Sequence, residues 1–177
     1  MVSTHNTKKP SFLSIIDMQK PSRFDSIRYA LVRMLYKLAH PLRVAYWFVF
    51  RPHYRGAKVI VRYKDELLFI RNSYGAGYWT FPGGKVERGE SYEEGGRREL
   101  KEEVGITASS LTHIGQYIAN TEYHVSDVAV YLTDVSTKDH QIDFQEIAES
   151  RWAPLSTPPE PSSPRMTTLL EMVHTHQ

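Results

Sequence analysis

The stretch GGKVERGESYEEGGRRELKEEVGI, residues 83–106, contains the start and stop signals of one helix. Ser91 and Glu94 form the S-x-x-E pattern of a capping box, in which each side chain bonds the other residue's main-chain N–H. Gly105 is a residue typical of the position that follows a helix. We therefore expect a helix that begins at about Ser91 and ends at Val104.

This helix carries a charge pattern that is locally unfavourable. Glu99, Glu102 and Glu103 lie at i, i+3 and i+4, where like charges repel by a few tenths of a kcal/mol per pair. Gly95 and Gly96 inside the helix each cost on the order of 1 kcal/mol relative to alanine. Hard divalent cations such as magnesium take carboxylate oxygens as ligands, and a site that violates local rules is where function is expected. The three-carboxylate face therefore fits a metal site, although its spacing alone favours a solvated acidic face.

The spacing of the stretch matches a known motif. From Gly84 the chain runs five residues to Glu90, seven more to Arg98, and then continues as RELKEEVGI. This resembles the Nudix box, GX5EX7REUXEEXGU with U a bulky apolar residue, and every fixed position is met. The resemblance covers roughly residues 57–155. It implies a Nudix hydrolase of the α+β class, an α/β/α sandwich around a mixed sheet.

The resemblance also implies a reaction and the residues that carry it. Members of the family cleave a nucleoside diphosphate derivative by attack of water at phosphorus, with Mg²⁺ or Mn²⁺ as cofactor. Arg98 would pair with the glutamates and fix their rotamers, and Glu90 would support the motif structurally. Glu146 resembles an outlying glutamate that adds a ligand or a base in some members. The implied metal ligands are Glu99, Glu102, Glu103, Glu146 and the Gly83 main-chain carbonyl.

Four further residues are candidates for substrate binding. Tyr74 and Tyr78 precede the motif and could stack on a base, although packing in the core is the commoner role of such residues. Arg62 and Arg71 lie on a predicted hairpin and could reach phosphate, although exposed strand arginines are common. The substrate itself stays open among ADP-ribose, nucleotide sugars, dinucleoside polyphosphates and oxidised or ordinary nucleoside triphosphates.

The remaining sequence predicts strands around this helix. AKVIVRY and ELLFIRN are short, β-branched and aromatic, and read as a hairpin that turns at Lys64 and Asp65. LTHIGQYIAN, VSDVAVYLTDV and SRWAPL are also strand-like. Residues 157–164 form a proline- and serine-rich linker. Apolar residues from Met166 to Val173 at helical spacing predict a closing helix.

Composition and charge divide the chain into two parts. With 177 residues, 41% of them hydrophobic, the chain can bury one good core, and the lack of cysteine excludes disulfides and thiolate metal sites. Residues 1–58 hold 11 Lys or Arg against 2 Asp or Glu, whereas the other 119 residues hold 11 against 18. We expect a basic, amphipathic helical extension over residues 1–51 and a Nudix domain over residues 52–177.

The N-terminal part also bears on location and partners. MVSTHNTKKP lacks the apolar core of a signal peptide, and the apolar run at 44–50 is far shorter than the ~20 residues of a membrane span, so we expect a soluble, cytoplasmic protein. The basic helix favours packing, as a dimer arm or a cover of the core, over contact with an anionic membrane surface. No groove-reading motif accompanies the charge, so no specific nucleic-acid partner is expected. A catalytically silent, nucleotide-binding regulatory module is the alternative function.

Overall fold

A computed structural model describes residues 53–120 and 125–176, together with seven positions between Met34 and Val49. Those seven positions have helical backbone. The rest of the N-terminal part lies outside the described residues, and with it the predicted amphipathic helix, the domain boundary after residue 51, the dimer arm and the membrane contact. Over the described residues no helix is both long enough and apolar enough to cross a membrane.

The described chain builds one mixed sheet of six strands. The long central strand β1 pairs with β5 in parallel and with β2 in antiparallel register, and β4 pairs antiparallel with the far side of β5. β2 also pairs antiparallel with β3 and with β6. The strands are β1 (His53–Tyr63), β2 (Glu66–Asn72), β3 (Trp79–Thr80), β4 (Thr112–Asn120), β5 (Val125–Asp134) and β6 (Ile147–Pro154).

Two helices cover the two faces of this sheet, which confirms the predicted α/β/α sandwich. Helix α1 (Tyr92–Val104) packs on one face through Leu100 and Val104, and helix α2 (Met166–His174) packs on the other through Leu169 and Val173. Alternate residues of β1 enter the two cores, with Val59 on the α1 side and Ile60 on the α2 side. This alternation is the two-residue period expected of a strand buried on both faces.

The two glycines inside α1 bring the helix close to the sheet. A Cβ on Gly96 would lie 3.1 Å from Val59 Cγ2, and one on Gly95 would lie 3.0 Å from Val86 Cγ2. Both distances are shorter than an ordinary van der Waals contact. The local helix penalty of these glycines is therefore offset by a close approach that larger residues would prevent.

The predicted proline-rich linker is fixed to the sheet rather than detached from it. The Trp79 N–H donates to the Pro161 carbonyl at 2.9 Å, and the Ser163 N–H donates back to the Trp79 carbonyl at 2.9 Å. Trp79 itself is buried. The segment therefore lies along the short strand β3 and leads the chain directly into α2.

Candidate metal and phosphate site

The capped start of α1 fixes where the glutamates of the helix stand. Ser91 Oγ accepts from the Glu94 N–H at 3.1 Å, and the Glu94 carboxylate accepts from the Ser91 N–H at 2.7 Å, so the predicted capping box is present. Gly105 closes the helix in the left-handed conformation with φ 68°. With both ends set, the helical repeat places Glu99, Glu102 and Glu103 next to each other.

Arg98 holds two of these glutamates and the front of the motif together. Its Nη1 donates to Glu99 at 2.9 Å and to Glu102 at 3.0 Å, and its Nε and Nη2 donate to the two oxygens of Glu90 at 2.9 and 3.1 Å. Nη2 also donates to the Lys85 carbonyl at 2.9 Å. The hydrogen bond from Arg98 lowers the pKa of Glu90, so this carboxylate stays charged. One guanidinium thus orients three carboxylates.

Glu103 is oriented by different partners on the inner side of the helix. Its side chain is only 3% exposed, and Oε2 accepts from the Gly83 N–H at 2.7 Å. Burial raises the pKa of Glu103 to about 7, against the opposing effect of the Lys58 charge. The Lys58 Nζ donates to the carbonyls of Phe81 at 2.7 Å and Gly83 at 3.1 Å, and burial lowers its pKa.

Glu146 approaches the same helix from a loop. The Asp143 N–H donates to the Glu103 carbonyl at 2.9 Å, and the Gln141 N–H donates to the Val104 carbonyl at 3.0 Å, so this loop is fixed against the end of α1. Burial raises the pKa of Glu146, and the negative charge of Glu99 adds to the rise. Glu146 therefore lies within electrostatic reach of the glutamate face.

The donor chemistry of this region fits a hard divalent cation. The Glu99 and Glu102 oxygens both lie within 3.0 Å of one Arg98 nitrogen, which shows that the two carboxylates converge on a single small group. Yet no described group of three or more histidine, aspartate and glutamate side chains is already gathered as a metal site. Arg98 contacts one oxygen of each carboxylate and so holds Glu99 and Glu102 side by side.

An open cleft of about 390 Å³ lies beside the glutamate face. Gly84 connects the two, because it lines the cleft and a Cβ on it would lie 2.8 Å from the Glu99 carboxylate. The cleft offers aromatic rings for stacking and cationic side chains for phosphate. Its other lining residues are Tyr54, Arg55, Gly56, Ala57, Lys58, Lys85, Tyr117, Ser126 and Val128.

The structure does not bring the four predicted substrate-binding residues into this cleft. Arg62 forms a two-pronged pair with Asp134 at 2.6 and 2.9 Å, and Arg71 pairs with Glu149. Tyr74 and Tyr78 are 38% and 44% exposed, so neither packs in the core, and neither lines the cleft. Arg62 and Arg71 thus pair with acids on neighbouring strands, and neither lines the cleft.

The sequence analysis did not predict five residues of the site region, which are Tyr54, Arg55, Lys58, Lys85 and Tyr117. Tyr54 and Tyr117 line the cleft from β1 and β4, and nothing in the sequence distinguishes them from other strand tyrosines. Lys58 did leave a signal, because it is a charged residue in the otherwise apolar strand run AKVIV. A lysine at such a position needs buried oxygen partners, and the loop 81–84 supplies them.

The raised pKa of Glu103 predicts how the metal-free protein responds to pH. The protonated form is favoured in the folded state, so its stabilising effect is complete below the ordinary pKa of 4.5 and is lost as the pH rises through about 7. Relative to Glu103→Gln, the wild-type free energy of unfolding should fall on the order of 3 kcal/mol across this window.

Urea denaturation in EDTA at several pH values measures this difference. Glu93→Gln serves as the control, because it removes a half-exposed carboxylate from the same helix. A wild-type minus Glu103→Gln difference that stays constant with pH would contradict the prediction.

Comparison with known proteins relates this chain to one family. The family model described as NUDIX domain matches residues 52–172. The chain is 41% identical over 68 residues to the oxidized purine nucleoside triphosphate hydrolase of Danio rerio, which is 36% of this chain and 42% of that protein. It is 44% identical over 57 residues to the CTP pyrophosphohydrolase of Escherichia coli, which is 32% of this chain and 39% of that protein. The matched segments thus span less than half of either relative.

A solved structure extends the likeness over a larger share of the chain. The crystal structure of the MutT protein from Methanosarcina mazei superposes with a TM-score of 0.64 at 26% identity. The match covers 72% of this chain and 98% of that chain.

Proposed function

The chain belongs to the NUDIX domain family, and we propose that it is a magnesium- or manganese-dependent pyrophosphohydrolase. It would cleave the diphosphate linkage of a nucleoside diphosphate derivative by attack of water at phosphorus. The observation that carries this proposal is the convergence of Glu99 and Glu102 on Arg98 beside Gly84, at the edge of a cleft with aromatic and basic walls.

The residues that would hold the metal are Glu99, Glu102, Glu103, Glu146 and the Gly83 carbonyl. When bound, the cation polarises a phosphoryl oxygen and lowers the pKa of a bound water. Arg98 sets the positions of Glu99 and Glu102 before substrate arrives. Glu146 stands at the loop side of the face with a raised pKa, a property that suits a group that takes a proton from water.

The cleft suggests how the nucleotide would be held. A pyrophosphate carries several negative charges, and Arg55, Lys58 and Lys85 place cationic side chains in the cleft lining. Tyr54 and Tyr117 offer ring faces, and stacking on a base contributes ~1 to 3 kcal/mol where it occurs. The two curated relatives are named for nucleoside triphosphates, which makes these the first substrates to test.

A substrate panel tests the proposal directly. Oxidised and ordinary nucleoside triphosphates, ADP-ribose, nucleotide sugars and dinucleoside polyphosphates are incubated with the full chain in ¹⁸O-labelled water, with Mg²⁺ or with EDTA. We expect metal-dependent cleavage of at least one class, with one ¹⁸O in a phosphate-containing product by mass spectrometry. Binding of a nucleotide without cleavage of any compound would favour the silent regulatory module and overturn the enzymatic proposal.

A further inference from the structure

Lys58 occupies an unusual position between the cleft and the glutamate face. It follows Ala57 on β1, and strand alternation places it on the same face as Ile60, which packs toward α2. Its side chain nevertheless reaches the loop 81–84 and donates to the carbonyls of Phe81 and Gly83. The ammonium therefore lies where the loop 81–84 passes β1.

This lysine completes the hydrogen bonding of the whole loop. The Gly84 and Pro82 carbonyls accept from the N–H groups of Ala57 and Val59 at 3.0 and 2.9 Å. The Phe81 and Gly83 carbonyls accept from the Lys58 ammonium. Three consecutive residues of β1 thus supply three donor groups to four consecutive carbonyls of the loop, and one of these donors is the Lys58 ammonium.

The oxygen atoms near the Lys58 ammonium are of the kinds that bind divalent metal ions. Two main-chain carbonyls accept from the Lys58 side chain; burial lowers the pKa of Lys58, and the negative charges of Glu103 and Glu99 oppose that lowering. Carbonyl and carboxylate oxygens are also the ligands of hard divalent cations. The Gly83 carbonyl belongs to the proposed metal ligands, and here it accepts from Lys58.

We propose that the Lys58 ammonium competes with a divalent ion for the Gly83 carbonyl. Of the proposed metal ligands, this carbonyl is then the one that the ion must take from Lys58. This inference rests on the proposed metal-dependent function. Its consequence is that the chain binds fewer divalent ions than its carboxylates and carbonyl could hold, and that Lys58 limits both their number and their affinity.

Binding of Mn²⁺ to the substrate-free full chain tests the proposal. Electron paramagnetic resonance counts free and bound Mn²⁺ for wild type, Lys58→Met and the control Lys85→Met. Lys85 lines the same cleft with its ammonium over the Tyr54 ring at 4.6 Å, so the control removes an equal charge nearby. A purely long-range effect of charge would alter both variants alike and would weaken with salt.

We expect Lys58→Met to bind one additional Mn²⁺ per chain, or to bind Mn²⁺ roughly tenfold more tightly, because the Gly83 carbonyl no longer accepts from Lys58 and a positive charge beside the glutamates is removed. Lys85→Met should stay within about threefold of wild type at moderate salt. Unchanged stoichiometry and affinity in Lys58→Met, or an equal gain in both variants, would overturn the proposal.

Thermal melting keeps the test decisive if the first variant is unstable. Lys58→Met leaves two carbonyls without a donor, so Lys58→Gln is the second variant, because its amide can donate to a carbonyl without charge. Both should melt below wild type in EDTA and gain more from Mn²⁺ than wild type does, since a ligand of the native state stabilises it. A variant that stays unfolded in Mn²⁺ counts against the proposal.

The outcomes separate this inference from the proposed function. If wild type hydrolyses no compound of the panel but Lys58→Met gains Mn²⁺, the enzymatic proposal fails and the role of Lys58 stands. If wild type is a metal-dependent hydrolase and Lys58→Met gains nothing, only the role of Lys58 fails.

Discussion

Replacing Glu102 by glutamine is expected to reduce hydrolysis roughly 100- to 1,000-fold at saturating Mg²⁺, the size of loss seen when one charge-stabilising group is removed from an active site. The fold should be unaffected. The Glu102 side chain is 60% exposed and its ion pair is with Arg98, and exposed pairs contribute about 0–1 kcal/mol. A loss of activity in Glu102→Gln would therefore report on the chemical role of Glu102 rather than on loss of fold stability.

The helix provides a matched control for this substitution. Glu93 forms the same kind of i, i+4 pair, with Arg97 at 2.8 Å, but lies outside the glutamate face. Glu93→Gln removes an equivalent charge and ion pair and should keep wild-type turnover. Steady-state rates and melting curves of the two variants decide the matter. Near-normal turnover of a folded Glu102→Gln would remove Glu102 from the proposed metal ligands.

The elements that the sequence predicted well are those defined by local signals. The capping box at Ser91 and the left-handed Gly105 act within a few residues, so the bounds of α1 were readable from the sequence. The β1–β2 hairpin has its turn at Lys64, whose φ of 56° lies in the left-handed region that a tight turn requires. The Nudix box predicted which carboxylates lie together, because a fixed spacing on a helix determines which side chains share a face.

Pairings between distant segments account for what the sequence did not reveal. Arg62 and Asp134 are 72 positions apart and meet because β1 and β5 run side by side. Arg71 and Glu149 are 78 positions apart and meet across β2 and β6. The sequence alone does not identify the acidic partner of either arginine, so each was a candidate for binding phosphate. A side chain's partner across a sheet depends on register, which local patterns do not specify.

The same dependence on distant segments explains why Lys58 was not predicted as part of the site. Gly83 has a φ of 129°, and a Cβ there would lie 2.1 Å from the Ala57 carbonyl, so only glycine allows the loop to pass this close to β1. That approach brings the Gly83 carbonyl to Lys58 and its N–H to Glu103. The motif supplies the glutamate and the residue just before the motif is the glycine, but β1 supplies the lysine. The lysine beside the Gly83 carbonyl is thus a property of the fold.

Replacing Arg98 by lysine is expected to lower turnover about 10- to 100-fold and to raise the Mg²⁺ concentration for half-maximal rate, as is typical when a group that orients metal ligands is lost. The five hydrogen bonds of Arg98 reach three carboxylates and the Lys85 carbonyl from nitrogens in a fixed plane. A lysine ammonium is a single point charge on a flexible stem, so it cannot hold Glu90 at one end and Glu99 with Glu102 at the other.

The Mg²⁺ dependence is the measurement that separates positioning from general destabilisation. Arg97→Lys is the matched control, because Arg97 lies beside Arg98 but donates to Glu93 and to the Ala108 carbonyl instead. If Arg98 acted only by stabilising the helix, Arg98→Lys would melt earlier but, below its melting temperature, would keep the wild-type turnover and Mg²⁺ dependence. If it orders the metal ligands, the Mg²⁺ curve shifts in Arg98→Lys alone, because there Glu99 and Glu102 must first be brought together by the metal itself.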